Sequence, residues 1–191
     1  ENGCVFEVEL DGNTHEFETN IVGKHNILNI TACLMLLNKY DFTPAELQQA
    51  VKDLSMVKRR QELRGKYKET YVIDDFAHHP RAISLTVDAI KTKYPDREIV
   101  TVFEPVSATA RSNVFQKEFA ESLQNSTKVI IAQNPLPTTV KEQKNLNCEQ
   151  LVQDISKYGI TANNVTSLEG LRNTIDEYIN SNSVLLILSN R

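Results

Sequence analysis

The sequence predicts an α/β protein: a Rossmann-like, mostly parallel sheet with helices on both faces, preceded by a small α/β remnant of a neighbouring domain. Three observations carry this. Runs such as "REIVTVFE", "KVIIA" and "SVLLILS" are continuously apolar rather than alternating, as strands covered on both faces require. Amphipathic stretches of helical spacing lie between them, which is the alternation a parallel sheet needs. Residues 1 to 57 keep a different rhythm, first of period two and then of period 3.6.

The elements follow in order. "CVFEVELDGNTHEFET" alternates on both sides of Asp11-Gly12-Asn13, a β-hairpin whose turn residues tolerate positive φ. "HNILNITACLMLLNKY" spaces Ile27, Ile30, Leu34 and Leu37 for a helix. "TPAELQQAVKDL" opens a second helix, with Thr43 as N-cap, Pro44 at N1 and Glu46 completing a capping box. From residue 58 a short strand pair leads into Val72-Ile73. A helix runs from Pro80 to about Lys93, then come the strand "REIVTVFEP", the helix "SNVFQKEFAESLQ" and the strand "KVIIAQ". "CEQLVQDISKYG" reads as a helix ending on Gly159, "SLEGLRNTIDEYIN" as another, and "SVLLILS" as the closing strand. The irregular stretch 133–145 reads as a surface loop.

A chain of 191 residues supports a substantial core, since chains near this length hide roughly 70% of their unfolded surface. The net charge of −4 argues against bulk binding to nucleic acid or anionic lipid. No run reaches the length of a membrane span. Cys4, Cys33 and Cys148 are odd in number and widely spaced, which argues against a disulfide framework or a zinc site and for a reducing, cytoplasmic setting. The opening "ENGCVFEVEL" reads as mid-protein sequence, as in an excised domain.

The chemistry concentrates in two βα turns. Ligands of open parallel sheets bind beyond the carboxyl ends of the strands. There "VIDDFAHHP" places Asp74, Asp75, His78 and His79, and "FEPVSATAR" places Glu104, Ser107, Thr109 and Arg111. Carboxylates at such an edge accept ribose hydroxyls, and imidazole or guanidinium groups hold anions. Capping by Asp75 or His79, with Pro80 at N1, accounts for one of the four residues in the first turn but not for all. Neighbouring histidines share one tetrahedral ion poorly, so no metal is assigned to them. Asn26 and Asn29, three apart in "GKHNILN", share a helical face and suit a purine edge, while capping competes for Asn26. "KRR", 58 to 60, is either a solvated turn or a source of arginine for a nucleotide phosphate. Neither G-x-x-x-x-G-K-[ST] nor G-x-G-x-x-G occurs, which disfavours a hydride-transferring dinucleotide enzyme and places any phosphate cradle elsewhere. A non-catalytic nucleotide-binding module would lack its own grip for the same reason.

Taken in order, "GKHNILN", "VKRRQELRG", "VIDDFAHHP" and "FEPVSATAR" resemble the Mur ligases, ATP-dependent amide-forming enzymes of bacterial peptidoglycan. The resemblance implies that residues 1–57 are the C-terminal end of a central ATPase domain and 58–191 a Rossmann-like C-terminal ligase domain. The UDP-sugar domain, the P-loop and the residues holding Mg²⁺ would lie outside this chain. "KRRQELRG", "DDFAHHPRAI" and Glu104 look most like the branch that recycles murein peptide. That branch joins UDP-N-acetylmuramate to L-alanyl-γ-D-glutamyl-meso-diaminopimelate, and L-alanine is the alternative acceptor.

Site roles follow from the resemblance one residue at a time. Asn26 and Asn29 would face adenine with His25 beside them, Arg60 the phosphates or ribose, and Asp75 the ribose of ATP. His78, His79, Ser107, Thr109 and Arg111 would face the incoming peptide. Chemistry would run through an acyl phosphate on the muramoyl carboxylate, attacked by the acceptor amine. Two positions depart from the pattern: Val106 stands where the recycling branch has arginine, and "SNR" stands where the family continues with glycines.

Overall fold

The computed structural model describes residues 3–133 and 145–191, so the stretch read as a surface loop lies, at 134–144, outside the described residues. The chain divides into two compact units, Glu1–Val57 and Lys58–Arg191.

In the first unit β1 (Cys4–Leu10) and β2 (Asn13–Thr19) pair antiparallel. Asp11 and Gly12 alone make the turn, at φ 49° and 77°. Positive φ at both central residues gives a turn whose twist matches that of the strands. Helix α1 (Lys24–Leu37) starts after Gly23, whose φ of 100° an L side chain would resist. Helix α2 (Pro44–Lys52) has the full capping box: Glu46 N–H donates to Thr43 Oγ1 at 3.3 Å, and Thr43 N–H to Glu46 Oε2 at 2.8 Å. The Thr43 hydroxyl also donates to Glu46 Oε2 at 2.7 Å, and this bond, with that of the Thr43 N–H, holds the Glu46 carboxyl below its ordinary value. Val8, Leu10 and Phe17 of the hairpin pack with Ile30 and Leu34 of α1 and Leu47 and Val51 of α2.

The second unit is a six-stranded sheet. Its strands are β3 (Glu62–Tyr67), β4 (Thr70–Asp75), β5 (Glu98–Glu104), β6 (Lys128–Ala132), β7 (Thr161–Val165) and β8 (Ser183–Ser189). They lie in the order β3-β4-β8-β5-β6-β7, with β3 antiparallel to β4 and the other pairs parallel. The closing strand therefore enters the middle of the sheet, between β4 and β5. Alternate residues serve opposite faces. Ile73, Ile99, Phe103, Val129, Ile131 and Leu186 pack under α3 (Pro80–Lys93), α4 (Gln116–Ser122) and α5 (Cys148–Ser156). Val100, Val102, Ile130 and Leu185 pack under α6 (Leu168–Tyr178). The fold class is the one read from the sequence.

Three details differ from the sequence reading. Strand β7, "TANNV", carries no apolar run, because an edge strand buries little: Ala162 is its one buried residue. "SNVF" is a 3-10 turn, Asn113–Phe115, ahead of α4. Helix α5 stops at Ser156, and a further turn carries the chain to Gly159 at φ 78°.

Leu186 is fully buried at the centre of the sheet, whereas Leu168 is 83% exposed. Leu186→Ala is therefore expected to cost about 2–5 kcal/mol, and Leu168→Ala less than about 0.5 kcal/mol. Denaturant melts of the two variants compare them directly; equal shifts would refute this assignment of the core.

Candidate functional site

The carboxyl ends of β4, β8 and β5 lie side by side, with Asp74 in register with Ile187 and Glu104 with Ser189. The polar residues of both βα turns gather there. Asp75 is 3% exposed. Its Oδ1 accepts the Ala77 N–H at 2.8 Å, closing a turn over Phe76, and its Oδ2 accepts the Gln61 N–H at 2.9 Å. Thr86 on α3 donates to Oδ1 at 3.4 Å. Burial pushes the Asp75 carboxyl above its ordinary value, and these bonds together with the Arg60 charge draw it back down. Asp74 pairs outward with Arg59 Nε at 3.3 Å.

His78 is half-buried, with Nδ1 3.0 Å from the Phe76 carbonyl. A carbonyl only accepts, so Nδ1 carries the hydrogen and the neutral ring keeps its lone pair on Nε2. His79 is exposed and occupies the N-cap of α3 without any side-chain cap bond; its ring meets Phe115 edge-on at 4.8 Å. The capping expectation is thus corrected: neither Asp75 nor His79 caps α3 through its side chain. The buried Pro80 at N1 removes one donor, and the His79 carbonyl accepts the Ile83 N–H at 3.0 Å.

After β5 the chain winds on itself. Ser107 Oγ accepts the Ala110 N–H at 3.1 Å, and the Ser107 carbonyl accepts the Arg111 N–H at 2.9 Å. Ser107 thereby shapes the loop, Thr109 is exposed, and Arg111 is half-buried. The Arg111 carbonyl accepts the Leu146 N–H at 2.7 Å, anchoring the loop. Among the described residues the Arg111 guanidinium makes no ion pair. Arg60 is exposed, its guanidinium 5.8 Å from the Phe76 ring centroid. Glu104 Oε2 accepts from Ser189 Oγ at 2.6 Å, and its Oε1 lies 3.5 Å from Arg191 Nε. A cavity of about 350 Å³ opens beside Glu104, lined also by Gln133, Thr166, Ser167, Leu171 and Arg191.

In the first unit Asn26 and Asn29 lie one turn apart on α1 and differ in burial. Asn26 belongs to the buried stripe of α1 with Ile30 and Leu34, while Asn29 is exposed. The spacing of three permitted a shared face, but four-residue packing onto the hairpin decided which of the two turned inward. Asn26 is no cap either: Gly23 holds that position, and Asn26 Nδ2 donates to the Val22 carbonyl at 2.8 Å. His25, preceding it, is half-buried.

The sequence reading missed Arg59, Phe76, Thr86 and Ser189. Arg59 donates through Nη2 to the Ser189 carbonyl at 2.5 Å and through Nη1 to the Arg191 carbonyl. A second arginine beside Arg60 was the available signal, but its partners lie 130 residues away or more. Among the described residues no three His, Cys, Asp or Glu side chains are grouped to hold a metal, and no helix is long and apolar enough to cross a membrane.

Known proteins resemble this chain in sequence and fold. Residues 59–191 match the family model described as Mur ligase, glutamate ligase domain. A UDP-N-acetylmuramate–L-alanine ligase of Streptococcus thermophilus is 35% identical over 187 residues, 96% of this chain and 42% of the relative. One from Desulfitobacterium hafniense is 28% identical over 173 residues, 91% of this chain and 38% of the relative. The solved UDP-N-acetylmuramate–alanine ligase of Thermotoga maritima superposes with a TM-score of 0.71 at 25% identity, covering 93% of this chain and 37% of that one. A murein peptide ligase of Psychrobacter arcticus shares the fold, with a TM-score of 0.69 at 22% identity over 97% of this chain and 38% of that one. This chain thus spans about two fifths of the length of the curated relatives it matches. The chain belongs to the Mur ligase family.

Proposed function

We propose that this chain is the C-terminal part of an ATP-dependent ligase that joins the carboxylate of UDP-N-acetylmuramate to an amine in a bacterial cytoplasm. Residues 1–57 belong, in this reading, to the end of the central ATPase domain. The observation that carries it is the placement of Arg60, whose charge acts on the buried Asp75, and of His78, three residues beyond it, at the edge where open sheets take ligands, with Arg111 in the loop after β5. Among the described residues neither the Arg60 nor the Arg111 guanidinium is closed into a salt bridge, although the Arg60 charge acts on Asp75, and such groups suit phosphate and carboxylate. Asp75 serves the nucleotide by fixing the segment that carries Arg60, and its Oδ2, which accepts only the Gln61 N–H, retains a lone pair for a ribose hydroxyl. His25, Asn26 and Asn29 are assigned to the adenine. His78, His79, Thr109 and Arg111 face the acceptor, with Ser107 shaping their loop. ATP would transfer its terminal phosphoryl group to the muramoyl carboxylate with loss of ADP, the acceptor amine would then displace phosphate from that acyl phosphate, and the chain's own groups contribute by orientation and charge. Mg²⁺ is assigned no residues of this chain.

L-alanine is the acceptor named for the Streptococcus thermophilus relative, and we take it as the first reading. The tripeptide L-alanyl-γ-D-glutamyl-meso-diaminopimelate is the second, favoured by Glu104 and the motif that contains it. Phosphate release by the protein at its native length, with UDP-N-acetylmuramate and each acceptor in turn, separates the two. The 191-residue chain alone is expected to release none, because phosphoryl transfer needs a phosphate cradle it does not contain. Acceptor-dependent release by the chain alone would refute that.

Arg60→Ala is expected to lower kcat/KM for ATP about ten- to a thousand-fold, with the acceptor KM little changed. Unchanged ATP kinetics in the folded variant would return Arg60 to a solvated turn.

Asp75→Asn should weaken ATP use and His78→Ala acceptor use, so KM values measured with each substrate varied separately test the division. Burial raises the Asp75 pKa, so its ionisation opposes folding. Its contribution to stability is complete below the ordinary carboxylate value and declines as pH rises toward the raised one. The asparagine variant lacks this decline. The wild-type lead in melting temperature over Asp75→Asn should therefore shrink from about pH 4 toward neutrality; a lead that grows would contradict the raised pKa.

A further inference from the structure

The segment that opens the second unit has an uncommon backbone. Arg59 and Gln61, on either side of Arg60, both lie at positive φ, 59° and 51°. Side-chain-bearing residues hold that conformation where surrounding contacts over-determine it. Those contacts are present. The Arg59 N–H donates to Glu62 Oε2 at 2.9 Å, its carbonyl accepts the Phe76 N–H at 2.9 Å, and the Gln61 N–H reaches Asp75. The Arg59 guanidinium meets Asp74 through Nε, the Ser189 carbonyl through Nη2 and the Arg191 carbonyl through Nη1, and lies 5.4 Å from the Phe76 ring centroid. All three nitrogens are engaged by protein acceptors, so this arginine is not available as a ligand group. Arg60, next to it, has the opposite character: it is exposed, lies 5.8 Å from the Phe76 ring centroid and acts on Asp75 through its charge.

We propose that Arg59 is a positioning residue, which clamps the 59–61 segment onto the ends of β4 and β8 and thereby holds Arg60 at the carboxyl edge for a nucleotide phosphate. This rests on the reading of Arg60 given above and extends it to a residue that touches no substrate. The fork geometry of a guanidinium is what the clamp needs: one side chain spans a carboxylate on β4 and two carbonyls at the end of β8. Lysine, a single point donor, spans one of them. The exposed charge of Arg60 has no comparable restraint of its own, so its aim depends on the backbone beneath it.

The test uses the protein at its native length, with Arg59→Gly, Arg59→Lys, Arg60→Ala and the double variant Arg59→Gly/Arg60→Ala. Glycine takes a positive φ without strain, so Arg59→Gly removes the side chain and leaves the backbone path open. Arg59→Gly is expected to lower kcat/KM for ATP about ten- to a hundred-fold, the usual consequence of a displaced catalytic group, with the acceptor KM unchanged. Arg59→Lys should recover part of the loss. The double variant should fall no further than Arg60→Ala alone, since both changes disable one device. Wild-type ATP kinetics in Arg59→Gly overturns the proposal, or in Asp74→Asn should the glycine variant not fold. Additive losses in the double variant overturn it as well, and both results leave the role of Arg60 standing. Wild-type ATP kinetics in Arg60→Ala removes that role and the inference together.

Discussion

Strand β8 is the constraint on which the rest of the second unit depends. It is last in the chain, yet it pairs with β4 on one side and β5 on the other, and those two strands do not pair with each other. The distance between the loops after β4 and β5 is therefore set by one inserted strand. Its burial follows: Val184, Leu185, Leu186 and Leu188 are all closed off from solvent, because both faces of the strand are covered. Closing a contact over more than a hundred residues costs little more entropy than closing one over fifty, since the cost grows only with the logarithm of loop length. The apolar strand returns far more than that increment through burial on two faces.

The end of the same strand then holds the polar edge together. Ser189 donates its hydroxyl to Glu104 on β5, and its carbonyl receives Arg59 from the segment before β3. One residue thus ties together three parts of the chain that are distant in sequence. The carboxylates of this edge are matched by N–H groups and arginine in place of water. Asp75 is the extreme case: it is buried deeply enough for its pKa to rise, and two backbone N–H groups and a threonine hydroxyl keep the site tolerable.

The elements that bury a continuous apolar face were legible from sequence, as were the hairpin and the capping box, because each is a local pattern with its own physical cause. Strand β7 was not, since an edge strand with one buried residue leaves no pattern to read. At the site, the residue types of the two turns were legible and their partners were not. The Arg59 contacts to the Ser189 and Arg191 carbonyls span 130 residues or more, and no local rule reports them. Asn26 and Asn29 show what spacing leaves open: it sets them one turn apart, but packing onto the hairpin decides which side chain is buried.

The paired aspartates that end β4 have a physical reason in the same alternation. Successive strand residues point to opposite faces, so Asp74 and Asp75 cannot share a partner. Asp75 lies on the face of Ile73, toward α3, where Thr86 meets it. Asp74 lies on the face of Val72, the side covered by α6. Ser189 and Glu104 fall on that side too, in step with Ile187 and Val102. Each of these polar groups on the α6 side already has a partner within this chain: Asp74 with Arg59, and Ser189 with Glu104. Strand alternation thus gives the two aspartates different work on one segment: Asp74 holds the Arg59 side chain on the α6 side, and Asp75 accepts the Gln61 N–H on the α3 side.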